Sequence, residues 1–232
     1  MIDPSPIILW FRRDLRLADH PALTAACASG RPVIPLFIHD EVVAGQGAAP
    51  RFRFGMSVGA LADDLAVLGS NLILRKGTAL DVLRDVIAQT GAGAVYWSRL
   101  YDPVSKDRDV GVKAALKGDG IEVASFAGHL LFEPWTVETK TGGVYKVFTP
   151  MWKSVRGREL PATLPVPVSI IAPDNWPVSD DLADWQMGRD MRRGAEVLRP
   201  YCTVGEVAAL ARLEVFISER VVNYQLNRDL PG

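Results

Sequence analysis

Apolar residues in this chain fall into two patterns: short unbroken runs, and longer stretches in which they return at every third or fourth position. The runs lie at 7–11 (Ile7, Ile8, Leu9, Trp10, Phe11), 33–38, 72–74, 94–97 and 121–124. Nothing in the first alternates with polar residues, which is the pattern of a strand buried on both faces. Between the runs the spacing predicts helices. One covers 22–28, with Pro21 at the first helical position, where its missing N–H costs nothing. A second covers 51–68, with Phe54, Val58, Leu61, Leu65 and Leu68 on one face and Gly69 closing it. A third opens at Thr78, with Asp81 as the reciprocal capping residue, and a fourth covers 107–116. Residues 40–50, rich in Gly and Ala, predict a loop. Parallel neighbours need crossover connections, so the predicted fold class is α/β, a Rossmann-like five-stranded parallel sheet with helices on both faces.

The alternation stops near residue 131. A tight turn is predicted at 140–143, and Thr149 followed by Pro150 predicts the capped start of a short helix. Prolines at 161, 165, 167, 173 and 177 predict an extended connector. Val207, Leu210, Leu213, Ile217, Val221 and Tyr224 then mark the apolar stripe of a helix over 206–226. The expected organisation is an α/β domain at 5–130, a linker at 131–203 and the start of a helical domain at 204–232. The stripe needs a cover, which points to the front part of something longer, or to a dimer through the terminal helix.

Composition narrows the functional classes. The 232 residues are 48% apolar and 23% charged, with a formal net charge of -1, so no basic field draws nucleic acid to this chain alone. Cys27 and Cys202 stand in no metal or redox spacing, and three histidines lack metal-ligand spacing, so neither a disulfide nor a metal is expected. Asp3, Pro4 and Pro6 precede the first run without the basic flank of a secretion signal, and no segment could span a bilayer. A cytoplasmic protein is expected, with no membrane partner. Neither a glycine-rich dinucleotide fingerprint nor a phosphate-binding P-loop is present.

The chemistry lies in three strings. Residues 7–23, IILWFRRDLRLADHPAL, put Arg12, Arg13, Asp14 and Arg16 where a strand leaves the sheet. Such a cluster is either an ion-pair network or a ligand edge. Residues 145–153 read YKVFTPMWK, and 205–232 read GEVAALARLEVFISERVVNYQLNRDLPG. Together, and in this order, they resemble the DNA photolyase and cryptochrome family. The resemblance implies a flavoprotein that uses blue light and, for a deoxyribodipyrimidine photolyase, splits pyrimidine dimers in damaged DNA by electron transfer from photoexcited reduced FAD. The cofactor does the hard step, so no catalytic side chain is expected in this chain.

By the same resemblance Tyr224 falls on a tyrosine that contacts FAD, and Arg228 on an arginine that contacts the DNA backbone. The family's flavin phosphate loop, tryptophan relay and most of its lesion pocket lie beyond the matched strings. The chain is therefore expected neither to hold FAD tightly nor to repair DNA. Its six tryptophans are read as packing residues. An antenna chromophore would sit at the carboxyl edge of strands one, two and four, against Arg12, Phe37, His39 and Asp102. Relatives that carry folate place a glutamate where Ser105 stands here, and a hydroxyl cannot replace a carboxylate that accepts two hydrogen bonds. Folate in that pose is disfavoured, which leaves deazaflavin, flavin or no antenna. The alternatives are a cryptochrome-type photoreceptor, a stand-alone adenine-nucleotide-binding α/β module, and an interaction module using the terminal helix.

Overall fold

The computed structural model describes residues 5–230. Asp3, Pro4 and the last two residues of the third string lie outside them. Five parallel strands, β1 (Ile7–Phe11), β2 (Val33–His39), β3 (Ile73–Lys76), β4 (Ala94–Ser98) and β5 (Glu122–Phe126), form one sheet in the order β3-β2-β1-β4-β5. The α/β class is as the apolar pattern predicts. Strand residues alternate between two apolar layers. Ile7, Leu9, Phe11 and Phe37 face a cluster with Leu23, Val58, Leu61 and Leu65, while Ile8, Trp10, Ile34 and Trp97 face one with Leu83, Val86, Val112 and Leu116. The first layer is covered by α1 (Pro21–Ala28) and α3 (Ala48–Val67), the second by α4 (Ala79–Thr90) and α5 (Pro103–Gly118).

Several local expectations are corrected. Residues 40–50 are not a loop: the Asp40 carboxylate accepts from the Val43 N–H at 3.0 Å and caps α2 (Glu41–Ala44), and α3 starts at Ala48. Gly45 and Gly47, which suggested a loop, stand at the helix boundaries instead. α5 starts at Pro103, capped by Asp102, four residues ahead of the predicted 107. Thr78 precedes α4, but its hydroxyl donates to Asp81 at 2.5 Å rather than accepting from the helix. α6 (Phe148–Val155) begins before Thr149 and has no side-chain cap.

The proline-rich connector is extended, as predicted, yet it is strapped to the sheet. β3 lies at one edge, and an open edge strand leaves a row of unpaired backbone groups. Here Ser179 accepts from the Leu74 N–H at 3.0 Å, the Asp180 N–H donates to the Leu74 carbonyl at 2.7 Å, and Arg75 donates to the Val178 carbonyl. Within the strap Ile170, Pro173 and Pro177 are buried. After α7 (Arg193–Leu198) the chain enters α8 (Glu206–Val215), whose first residue docks it: the Glu206 carboxylate accepts from the Leu17 N–H at 2.8 Å and the Ala18 N–H at 3.1 Å. The single terminal helix predicted over 206–226 is broken by a wide turn at 216–220 and a tight one at 221–223 before α9 (Tyr224–Asn227). At the break the Ser218 hydroxyl bonds the Glu214 carbonyl, competing with the backbone ladder. The six stripe residues are exposed or only partly covered.

Asp14 and His20, each 1% exposed, pin the loop after β1. His20 Nδ1 accepts from the Leu23 N–H and caps α1, its Nε2 lies 2.9 Å from Asp14 Oδ2, and Asp14 Oδ1 accepts from the Arg12 N–H. Burial works to raise the Asp14 pKa, but His20 and the Arg12 N–H outweigh it and hold the carboxyl well below the ordinary range. Removing one partner of a buried pair strands the other, so Asp14→Ala should lower unfolding free energy in urea by about 3 kcal/mol. A depressed carboxyl pKa gives stability that is full above the unfolded value of about 4, so the advantage over Asp14→Ala should shrink as pH falls below that.

Candidate functional site

The carboxyl edge of the sheet is filled by charge that neutralises itself. The last residue of β1 delivers Arg12 into the space between β4 and α5. One guanidinium nitrogen donates to both Asp109 oxygens at 2.8 and 2.6 Å, and another donates to the Ser98 carbonyl. Its plane lies 4.8 Å from the Trp10 ring centre and 5.9 Å from that of Trp97. Arg108 approaches the Trp10 ring at 4.8 Å and pairs with Asp40 and Asp109. Burial lowers the Arg12 pKa, with Asp109 opposing it. A tryptophan face attracts cations through its quadrupole, so Trp10 binds two guanidiniums at once.

The candidate site residues named from sequence, those for this edge and the two in the terminal segment, separate into three groups. Arg12 and Phe37 meet in a crevice with Asp40, Gln46, Phe54 and Arg108, but its volume is about 20 Å³, room for one water. Phe37 is packed on Phe54 and Trp185, and His39 meets the edge of the Trp185 ring at 5.3 Å. Burial pushes the His39 imidazole below its usual pKa. Asp102 and Ser105 form the start of α5: the Asp102 carboxylate accepts from the Ser105 N–H at 3.0 Å and lies 3.2 Å from Arg13. Burial acts to raise the Asp102 pKa, and the Ser105 N–H and Arg13 outweigh it. Ser105 is fully buried. Tyr224 and Arg228 belong to the terminal segment, where Tyr224 meets the edge of Phe216 at 5.8 Å and Arg228 lies near its neighbour Asp229.

A larger hollow lies beside the filled edge, and sequence reasoning missed it. It has a volume of about 410 Å³ between Trp97 of β4, Tyr101, Trp135 and one face of α5 that carries Lys106, Val110 and Lys113. Arg99 braces it by bonding Glu133 and covering the Trp135 ring at 5.6 Å. Glu133 also accepts from the Tyr101 hydroxyl at 2.8 Å, and burial followed by that carboxylate raises the phenol's pKa. Aromatic walls with lysines at the mouth suit a flat ring bearing an anionic tail. The helical spacing of Lys106, Val110 and Lys113 was visible in sequence. Their meeting with Trp135, 22 residues further along the chain from Lys113, was not. Among the described residues no three His, Cys, Asp or Glu side chains come together as a metal site, and no helix is long and apolar enough to cross a membrane.

Comparison with known proteins gives the same family from sequence and from structure. The family model described as DNA photolyase matches residues 7–168. A deoxyribodipyrimidine photo-lyase of Agrobacterium fabrum is 40% identical over 229 residues, covering 98% of this chain and 48% of the relative. Cryptochrome-2 of Arabidopsis thaliana is 34% identical over 95% of this chain and 37% of its own length. The crystal structure of a class III photolyase from Agrobacterium tumefaciens superposes with a TM-score of 0.92 at 38% identity, over 100% of this chain and 48% of that one. The chain thus spans half or less of the length of these relatives.

Asp109 is the shared counter-charge of two buried arginines. Asp109→Ala should therefore destabilise the fold by about 3 kcal/mol in urea denaturation, whereas Asp102→Ala, which removes a partly exposed helix cap, should cost about 1 kcal/mol.

Proposed function

Because the chain belongs to the DNA photolyase family, we propose that it is the amino-terminal part of a deoxyribodipyrimidine photolyase, a light-driven repair enzyme for pyrimidine dimers. The observation that carries this reading is the likeness over the whole chain, through linker and docked α8, and not over the sheet alone. We divide it into an α/β domain at 5–130, a linker at 131–203 and the beginning of the flavin domain at 204–232. Damaged DNA is the partner of the whole enzyme, with Arg228 contacting the backbone. The unpaired cysteines suit a cytoplasmic setting.

FAD would meet Tyr224, and when bound it supplies the electron for dimer cleavage. Tyr224 is 52% exposed, on a segment with no enclosing wall. The residues present fit one edge of the flavin, and this chain contributes no more than that edge. The second chromophore fits better. The carboxyl-edge crevice is too small for a ring system, whereas the hollow beside it offers aromatic surface in Tyr101 and Trp135, with buried Trp97 at its base, and charge in Lys106 and Lys113. We assign the antenna to that hollow rather than to Arg12, Phe37, His39, Asp102 and Ser105. Deazaflavin, flavin and folate all carry a flat ring with an anionic tail, so the hollow suits the class they share.

A second reading, a blue-light photoreceptor, is favoured by the 34% identity to Arabidopsis cryptochrome-2. Repair of dimer-containing DNA by a full-length version separates the two.

The purified 232-residue chain should show no stoichiometric FAD spectrum. Titrated in turn with methenyltetrahydrofolate and FMN and followed by fluorescence, it should bind one of them. Trp135→Ala should weaken that binding about tenfold, the worth of one stacking face. Gln46→Ala, in the closed crevice, should leave it unchanged, and the reverse result would return the antenna to the sheet edge.

A further inference from the structure

On the other side of the molecule, α3 and the segment at 182–199 enclose a groove of about 720 Å³ that shares no residue with the aromatic hollow. α3 turns Phe52, Gly55, Met56 and Gly59 toward it, one face at helical spacing. Two glycines set the width. A Cβ on Gly55 would stand 3.0 Å from the Met187 Cβ, and one on Gly188 would stand 2.8 Å from the Phe52 ring. Phe52, Met56, Leu182, Met187 and Ala195 make the floor apolar.

The rim is cationic. Arg189, Arg192 and Arg199 line the groove against one acid, Glu196, and all three arginines are exposed. Among the described residues none of the three has an ion pair or a side-chain hydrogen bond, although Arg51 next to them pairs with Asp190, and Arg199 stands 5.5 Å over the Phe52 ring. One of them is also held in a costly conformation. Arg192, at the end of the tight turn 189–191, has φ 50° and ψ −131°, a region essentially reserved for glycine, and Gln186, at the end of the preceding turn 182–185, is left-handed at φ 46°. A non-glycine residue held there is strained, and it persists where the surroundings or a ligand require it. Within the fold, the Arg192 side chain has no partner that returns this cost.

We propose that this groove binds a nucleotide-sized organic polyanion, an apolar or planar body seated on Phe52 and Met56 with two or more negative charges held by Arg189, Arg192 and Arg199. Inorganic phosphate alone would leave the apolar floor without a use, and a neutral hydrophobe would leave three unpaired guanidiniums without one. Arginine forks suit phosphate and carboxylate oxygens through paired charge-assisted hydrogen bonds. The inference uses only this chain and stands apart from the antenna assignment.

Isothermal titration of the purified chain with ADP, pyrophosphate and adenosine tests it. ADP should bind, with pyrophosphate and adenosine each at least about tenfold weaker, and raising the salt should weaken ADP. Arg189→Gln and Arg199→Gln should each lose about tenfold. Arg192→Gly is the decisive variant, because it removes the charge and relaxes the backbone together. It should lose about tenfold in ADP affinity while its melting temperature rises by about 3 °C. The proposal is overturned if folded protein fails to bind ADP at millimolar concentration, if pyrophosphate binds as tightly as ADP, or if Arg192→Gly keeps full affinity.

Discussion

The constraint on which the rest of this structure depends is that its central strand ends in a charge that has nowhere to go but inward. β1 is flanked on both sides and covered on both faces, so Arg12 at its end is 5% exposed. A buried guanidinium is costly unless it is paired, and here both terminal nitrogens find partners while the buried Nε does not. Asp109 supplies the charge, Ser98 a carbonyl, and Trp10 and Trp97 two polarisable faces. Arg108 and Asp40 extend the same network to α2 and β2. Through these pairs the ends of β1 and β4 and the starts of α2 and α5 meet in one charged network that closes the sheet edge.

That closure moves the binding chemistry outward. Open α/β sheets tend to bind ligands at the carboxyl edge, and the sequence has the right residue types there. In this chain those residues bind one another. Open space lies further out, in hollows such as the one built from the outer face of α5 and from Trp135. The structure divides labour between a rigid, self-neutralised plug and a softer aromatic pocket leaning on it.

The sheet was legible in the sequence because unbroken apolar runs and glycine or proline boundaries are local signals, and each of the five strands falls within about two residues of its predicted run. Helix starts were less so. Asp40 and Asp102 act as caps by reaching backbone N–H groups three residues on, and composition alone disguised the first as part of a loop. After α8 the helical hydrogen-bond pattern changes over 216–223, which apolar periodicity does not register. Whether Arg12 faces a ligand or Asp109 depends on a contact across 97 positions, and no spacing rule reports that. The aromatic hollow was hidden for the same reason.

The strap along β3 has a consequence for how this molecule can be cut. Its proline-rich stretch looks like a disposable tether, yet it buries Ile170 against the core, and residues 178–180 that follow it bond to Leu74 and Arg75 of the outermost strand. A shorter version ending near residue 130 would retain every strand and helix of the sandwich while uncovering that row, inviting edge-to-edge self-association. The smallest autonomous piece of this protein therefore runs past residue 180, well beyond the last strand of its sheet.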